Sequence, residues 1–125
     1  MTKQITRAEF QIMDVLWAES PLAATTVAER LADETSWSLK TVKTLLSRLV
    51  EKGALEHTPD GRRYLYSPKV SRDAHARRAT QRLADQLFGG RAAPLVAHLA
   101  ESKGLTREDL SDLETLIEEL KRDSD

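Results

Sequence analysis

The 125-residue sequence predicts a mostly α-helical protein with one small β-hairpin. Apolar residues recur at spacings of three and four along most of the chain, which indicates amphipathic helices. Residues 54–67 alternate instead, and they surround a Thr-Pro-Asp-Gly turn sequence. Helical spacing then resumes. These observations predict two domains: a helical domain with a hairpin at 1–70, and a helical arm at 71–125.

Two helices are expected at the start of the chain. The first begins at Thr6, which forms a capping-box pattern with Glu9, and it ends at Ser20-Pro21. The second is short, at about 24–32. Their buried faces contain apolar residues at helical spacing: Phe10, Met13, Leu16 and Trp17 in the first, and Val27, Ala28 and Leu31 in the second.

Residues 37–53 predict a third helix with a distinctive outer face. Ser38 is a suitable N-cap, and Gly53 suits the left-handed conformation that ends a helix. The apolar stripe consists of Leu39, Val42, Leu45, Leu46, Leu49 and Val50. At about 100° per residue, the side chains that point away from it are Lys40, Thr44 and Ser47, with Thr41, Lys43 and Arg48 on the flanks. Short hydroxyls and cations on this face suit a recognition helix in a DNA major groove.

On this helix, we expect the N-terminal half to contact base edges. Lys40 and Lys43 can donate to guanine acceptors. Thr41 and Thr44 can form a hydrogen bond with a base or touch a thymine methyl group. Further along, Ser47 and Arg48 are expected to contact phosphate.

After the third helix, the spacing of apolar residues changes from the helical repeat to alternation, which predicts a hairpin. Residues 54–57 are expected as its first strand, Thr58 to Gly61 as its turn, and 62–67 as its return strand. Pro68 is expected to close the first domain. Three helices followed by such a hairpin form a winged helix-turn-helix.

Arg62 and Arg63 follow the predicted turn of the hairpin, which is the wing of this fold. Arginines at such a tip can contact phosphate or enter a minor groove. Because adjacent strand residues face opposite sides, we expect one of the two to contact DNA. Tyr64 and Tyr66 are expected to pack within the wing.

The distribution of charge along the chain indicates nucleic-acid binding more clearly than the net charge does. The net charge is only −1, yet residues 37–72 contain eight Lys and Arg against three Asp and Glu, a net +5. Residues 1–36 carry −3 and residues 101–125 carry −5. A basic block is typical of phosphate binding, although a solvated surface remains the alternative.

Several other site classes lack the residues that they require. The chain contains no cysteine, which excludes disulfides, thiolate metal ligands and cysteine nucleophiles. His57, His75 and His98 are far apart and are expected at the surface or in packing contacts. Trp17 and Trp37 are expected to pack in the core or at helix ends. The sequence therefore predicts no enzyme, no metal and no cofactor.

The hydropathy pattern predicts no contact with a membrane. No run approaches the roughly 18 apolar residues of a membrane span. The first residues contain no apolar leader core. We therefore expect a cytoplasmic protein.

The C-terminal arm is expected to hold two copies of the chain together. Its predicted helices run from Ser71 to Gly89-Gly90, from Pro94 to Ala100, and onward from a capping box at Thr106. Each of these helices has only one apolar stripe, and together they are too few to enclose a separate core. We therefore expect the arm to form a dimer. The alternative is that the arm folds back on the winged helix of its own chain. The residues expected in the dimer are Leu83, Leu87, Leu95, Leu99, Leu113, Leu116, Ile117 and Leu120.

The chain resembles the bacterial penicillinase and methicillin-resistance repressor family, which also includes copper-responsive repressors. The segments that carry the resemblance are 8–17, 37–49, Lys52-Gly53, 87–90 and Leu95-Val96. The resemblance implies a homodimeric winged-helix repressor that binds inverted-repeat operators in double-stranded DNA and controls resistance or stress genes. Lys40, Thr41, Lys43 and Thr44 match positions that contact the major groove. Lys43 replaces an arginine of well-known members, which removes a bidentate donor.

The resemblance leaves the inducing signal open. Family repressors of β-lactam resistance are cleaved by a regulatory protease at an Asn-Phe pair, and here His98-Leu99 matches that position. The copper-responsive branch uses paired cysteines, which this chain lacks. Two alternatives remain: a metal-responsive repressor that uses histidines, and a winged-helix module that binds another protein.

Overall fold

Six helices and three strands make up the part of the chain that the computed structural model describes, residues 4–124 without the side chain at 103. Residues 1–3, where the predicted first domain begins, and residue 125, where the predicted arm ends, lie outside the described residues. The helices are α1 (Arg7–Ala18), α2 (Ala24–Leu31), α3 (Leu39–Glu51), α4 (Arg72–Phe88), α5 (Ala92–Lys103) and α6 (Arg107–Asp123). The strands are β1 (Leu22–Ala23), β2 (Leu55–Asp60) and β3 (Arg63–Pro68).

Local capping explains where α1 and α6 begin, and both predicted capping boxes are confirmed. Thr6 Oγ1 accepts the Glu9 amide hydrogen at 3.2 Å, and Glu9 Oε1 accepts from the Thr6 amide at 2.8 Å. The same reciprocal pair joins Thr106 and Asp109 at the start of α6. Satisfying these free amides favours helix initiation at both positions.

The sheet contains one strand that the sequence analysis missed. Its order is β1-β3-β2, all antiparallel, with Leu22 opposite Tyr66 and Ala23 opposite Leu65. Two residues are too short to show alternation, so β1 becomes recognisable only through its partner β3. It connects the hairpin to the start of α2.

The predicted turn of the hairpin is wrong by about two residues. The antiparallel ladder continues to Asp60 opposite Arg63, so Thr58, Pro59 and Asp60 belong to β2, and Gly61-Arg62 form the turn. Gly61 has a φ of +64°, which glycine adopts without strain and which two-residue hairpin turns require. Proline is tolerated at position 59 because β2 is an edge strand.

Two further boundaries are corrected. Pro68 does not stand outside the hairpin but ends β3, opposite Leu55. Helix α5 extends from Ala92 to Lys103 and is therefore longer than the predicted 94–100. Arg91 precedes its first turn, and Gly104 follows it with a φ of +73°. Short helices of weak amphipathicity are difficult to delimit from spacing alone.

The chain divides into two compact units, Met1–Arg77 and Arg78–Asp125. The core of the first unit is contributed by α1, α2, α3 and β2. Its most deeply buried apolar residues, each 2% exposed or less, are Ile12, Met13, Leu16, Val27, Leu31, Val42, Leu46, Leu49 and Leu55. The sequence analysis places the functional boundary at 70, and this stays a prediction.

The start of α4 belongs to the first unit and packs on α1. Trp17 Nε1 donates to the Val70 carbonyl at 2.9 Å. The Arg72 guanidinium lies 5.0 Å from the centre of the Trp17 ring and forms an ion pair with Asp14 at 2.6 Å. The His75 ring also lies against Trp17, with ring centres 5.5 Å apart and the ring planes tilted by 37°. The predicted packing role of Trp17 is confirmed.

Candidate nucleic-acid interface

Helix α3 begins at the predicted cap. Ser38 Oγ accepts from the Thr41 amide at 3.2 Å, and its carbonyl accepts from Val42 at 3.1 Å. Trp37, just before the cap, packs against the core as predicted. After Lys52, Gly53 adopts a φ of +80° and ends the helix. Both ends of the helix are therefore held by local geometry.

One face of α3 is buried, and the opposite face is open. Val42, Leu45, Leu46 and Leu49 are at most 7% exposed. The six predicted DNA-binding residues of the helix are all exposed: Lys40, Thr41, Lys43, Thr44, Ser47 and Arg48. Helical periodicity thus placed these side chains outside the core, while their contact with DNA stays a prediction.

Leu39 departs from the predicted stripe. It is 37% exposed and does not belong to the buried core. Instead it lines a shallow surface depression with Lys40, Lys43, Thr44 and Ser47, which we call the recognition-face depression. As the first residue of the helix, Leu39 lies beyond the edge of the underlying core. An apolar side chain is therefore present among the cations of this face.

Two threonine hydroxyls on this helix are held by hydrogen bonds within it. Thr44 Oγ1 donates to the Lys40 carbonyl at 3.0 Å. Thr41 Oγ1 lies 3.2 Å from Ser38 Oγ at the cap. Both side chains therefore have a defined orientation before any ligand arrives.

A second groove, of about 400 Å³, brings residues of α3 and the wing together. Lys43 and Ser47 line it from the helix, and Arg62 and Arg63 line it from the hairpin. Thr25, at the start of α2, lies on its third side and was not singled out from the sequence. Strand β1 pairs with β3 of the wing and directly precedes α2, so the start of α2 lies close to the wing. The groove thus gathers three cations, a positive surface that suits phosphate.

The two wing arginines have different surroundings. Arg63 Nε donates to Asp60 Oδ2 at 3.2 Å across the turn, with both side chains more than half exposed. Arg62 lies in the two-residue turn itself, and the structure records no ion pair for it among the described residues. The sequence analysis placed both arginines in the return strand with opposite orientations; this placement is wrong, because Arg62 lies in the turn and both residues line the groove. Which of them contacts DNA stays a prediction.

The predicted packing of the wing tyrosines is confirmed. The rings of His57 and Tyr64 are 4.3 Å apart, and those of His57 and Tyr66 are 5.9 Å apart. Tyr66 also packs against the core. Burial, together with the nearby Tyr64, raises the pKa of the Tyr66 hydroxyl. His57 therefore has a packing role, as predicted.

Arg48 faces a different depression from the other candidates. It lies with Thr6, Glu9, Glu51 and Lys52, near the N-terminal end of α1. There the Glu9 carboxylate is 1% exposed, and its Oε1 accepts from Lys52 Nζ. Lys52 also donates to the Gln4 carbonyl at 2.9 Å. The end of α3 is thereby anchored to α1.

The second unit exposes many apolar side chains in the single chain. Of the predicted dimer residues, Leu83, Leu87, Leu99, Leu116, Ile117 and Leu120 are between 42% and 61% exposed, and Leu95 and Leu113 are half-buried. His98 stacks on Phe88, with ring centres 5.3 Å apart. The matched cleavage pair, His98 and Leu99, lies inside α5.

Within residues 4–124, no cluster of three or more His, Cys, Asp or Glu side chains is arranged to hold a metal ion. In the same part of the chain, no helix has the length and apolar character needed to cross a bilayer.

Comparison with known proteins agrees with these features. A family model described as Penicillinase repressor matches residues 5–119. The Penicillinase repressor of Bacillus licheniformis is 30% identical over 118 residues, which cover 94% of this chain and 92% of that protein. The Methicillin resistance regulatory protein MecI of Staphylococcus aureus (strain N315) is 23% identical over 93% of this chain and 94% of that protein.

A solved structure resembles the first unit. The Bacillus licheniformis BlaI monomeric form in complex with the blaP half-operator superposes with a TM-score of 0.51 and 36% identity, over 59% of this chain and 90% of that one. The chain thus belongs to the penicillinase repressor family, whose members are winged-helix DNA-binding transcriptional repressors and not enzymes.

Proposed function

We propose that this chain represses transcription as a homodimer that binds an inverted-repeat operator, with the outer face of α3 in the major groove of each half-site. The observation that carries the proposal is the groove between α3 and the wing, where Lys43, Arg62 and Arg63 converge. A helix with short polar side chains fits the major groove, and flanking cations neutralise the phosphates beside it. BlaI, which is 36% identical over the matched part, was solved in complex with the blaP half-operator, which supports DNA binding by this chain.

Each part of the interface has a distinct role in this proposal. In the N-terminal half of α3, Lys40 and Lys43 donate to base edges, and Thr41 and Thr44 also contact bases. Ser47 contacts phosphate beside the groove. Lysine donates from a single ammonium group, so Lys43 offers a less directional contact than a guanidinium would. Arg48, which faces the depression near α1, contacts phosphate at the outer edge of the site.

At the wing, Arg62 contacts the DNA backbone or minor groove, and Arg63 supports the turn. Arg62 lies at the tip of the hairpin, where it extends furthest from β2 and β3. Arg63 is already paired with Asp60. A contact from the tip positions the protein without specifying bases, unless it enters a narrow minor groove.

Homodimer formation rests on the exposed apolar residues of the second unit. Leu116, Ile117 and Leu120 of α6 are each about half exposed in the single chain. An apolar stripe of this kind favours burial against another helix. A two-fold dimer would then match the symmetry of an inverted repeat. The names of the two relatives support antibiotic-resistance genes as the regulated targets.

The decisive experiment selects DNA from a random pool with the full chain and then measures affinity for the selected site. The double substitution Lys40→Ala and Lys43→Ala should weaken binding tenfold or more, since a good base contact contributes about 1–3 kcal/mol. The double substitution Lys121→Ala and Arg122→Ala removes the same charge from α6 and serves as the control. Equal losses in both variants would refute the assigned face.

Inactivation by a regulatory protease at His98-Leu99 is a further part of the proposal. This bond lies within α5, and proteases require an extended segment, so α5 must open first. The N-cap of α5, Arg91, forms no side-chain capping hydrogen bond, which supports opening at that end. Limited proteolysis with mass spectrometry should find the earliest cuts of the second unit in α5. Earliest cuts in α6 would contradict this proposal.

A further inference from the structure

Thr44 lies on the outer face of α3, and its hydroxyl hydrogen is already used within the helix. Its Oγ1 donates to the Lys40 carbonyl, one turn earlier, at 3.0 Å. A threonine hydroxyl has only one hydrogen to donate. This bond therefore leaves two features of the side chain for an outside partner: the γ-methyl group and the lone pairs of Oγ1.

The surface around Thr44 is partly apolar. Thr44 shares the recognition-face depression, of about 440 Å³, with Leu39, Lys40, Lys43 and Ser47. Leu39 is 37% exposed there, although its side chain has no polar atom to offer DNA. The depression thus combines apolar groups with the two lysines. An apolar group on an incoming base edge would gain from burial here.

Among the four bases, only thymine presents a methyl group in the major groove. Its neighbouring O4 needs a hydrogen-bond donor, which Thr44 no longer has. We propose that Thr44 determines operator specificity by packing its γ-methyl group against the 5-methyl group of a thymine, with Leu39 as the second apolar wall. This inference deepens the proposed function and rests on it, because it requires α3 to lie in the major groove.

The test uses the full chain and an operator obtained by selection from random DNA. Each thymine of the half-site is replaced in turn by deoxyuridine, which lacks only the 5-methyl group. We expect one position at which the replacement weakens binding about fourfold, the equivalent of about 0.8 kcal/mol for one buried methyl group. The Thr44 substitutions described next identify that position as the one that Thr44 contacts.

Two substitutions separate the methyl group from the hydroxyl. Thr44→Ser removes the γ-methyl group and leaves only Leu39 against the thymine methyl group, so its preference for thymine over deoxyuridine should fall well below that of the wild type. Thr44→Val retains a methyl group, removes the lone pairs, and should still prefer thymine about fourfold. Because Thr44 is exposed, both variants should fold, which circular dichroism checks.

Three results would overturn the inference. They are a half-site without any methyl-sensitive thymine, a Thr44→Ser variant that prefers thymine as strongly as the wild type does, and a Thr44→Val variant that loses the preference for thymine. A wild-type chain that selects no sequence at all would instead contradict the proposed function, so the two failures are distinguishable.

Discussion

Glu9 and Lys52 form an ion pair that joins the first turn of α1 to the residue that caps the end of α3. The side chain of Glu9 is 1% exposed and that of Lys52 is 15% exposed. The same Glu9 oxygen accepts from the Thr6 amide, so one carboxylate serves both the capping box and the contact between helices. The pair therefore helps to hold the outer face of α3 at a defined angle to the rest of the first unit.

Removing the lysine should destabilise the protein strongly. In Lys52→Met, the buried Glu9 carboxylate loses its cation, and breaking such a pair typically costs about 3–5 kcal/mol. Urea denaturation of the full chain should show this loss in the free energy of unfolding. The double substitution Glu9→Gln and Lys52→Met leaves no uncompensated charge, so it should recover much of the loss. A double variant less stable than Lys52→Met would contradict the explanation.

The Glu9 carboxyl should also make stability depend on pH. Burial raises its pKa, but the hydrogen bonds from Lys52 and Thr6 outweigh burial and hold the pKa below its ordinary value of 4.5. The folded state therefore favours the ionised carboxylate. Its contribution is complete above pH 4.5 and decreases as the pH falls through the lowered pKa. Unfolding followed at a series of pH values checks this.

Glu9→Gln is the matched comparison for the pH series. It removes the titrating group while retaining a hydrogen-bond acceptor for the Thr6 amide. The stability difference between wild type and variant should shrink as the pH falls below 4.5. A difference that grows with acidity would show that the pKa is raised rather than lowered.

Arg62 should contribute to DNA affinity without contributing to sequence preference. Arg62→Ala should weaken binding to operator and to random DNA by similar factors, and it should reduce the slope of log affinity against log salt by about 1. Arg63→Ala should change that slope less, since Arg63 is paired with Asp60. Anisotropy titrations over a range of salt measure both. A larger slope change for Arg63→Ala would reverse the assignment.

Ile117 should be required for association of two chains. It is 49% exposed in the single chain, and Ile117→Asp places a charge in the apolar stripe of α6. Sedimentation velocity should show a shift from dimer to monomer, with a parallel loss of operator affinity. Thr115→Asp adds the same charge about 200° away around the helix and should leave the dimer intact. A dimeric Ile117→Asp would exclude α6 from the interface.

Much of the fold follows from local patterns. The caps at Thr6, Ser38 and Thr106 are satisfied within three residues, and helical spacing in α3 separates the core side from the exposed side. These features depend on near neighbours in the chain, so a single sequence contains enough information to predict them. The hairpin was recognisable for the same reason, because its strands are adjacent in sequence.

Other features required contacts between distant residues. Strand β1 is defined only by pairing with β3, more than 40 residues later, and it places Thr25 beside the wing. The extra residues of β2 and the turn at Gly61-Arg62 depend on the ladder register, which alternation alone does not specify. Leu39 was wrongly assigned to the core because helical periodicity predicts which way a side chain points but not how far the core extends beneath the helix.

The sequence by itself determined the caps that begin α1, α3 and α6, the exposed polar face of α3, and the family to which the chain belongs. Only the tertiary structure decided that Lys43, Arg62 and Arg63 share one groove and that Glu9 meets Lys52. It also decided which wing arginine is paired. The physical reason is that capping and periodicity act over one or two turns of helix, whereas a groove and a buried ion pair exist only when separate elements pack together.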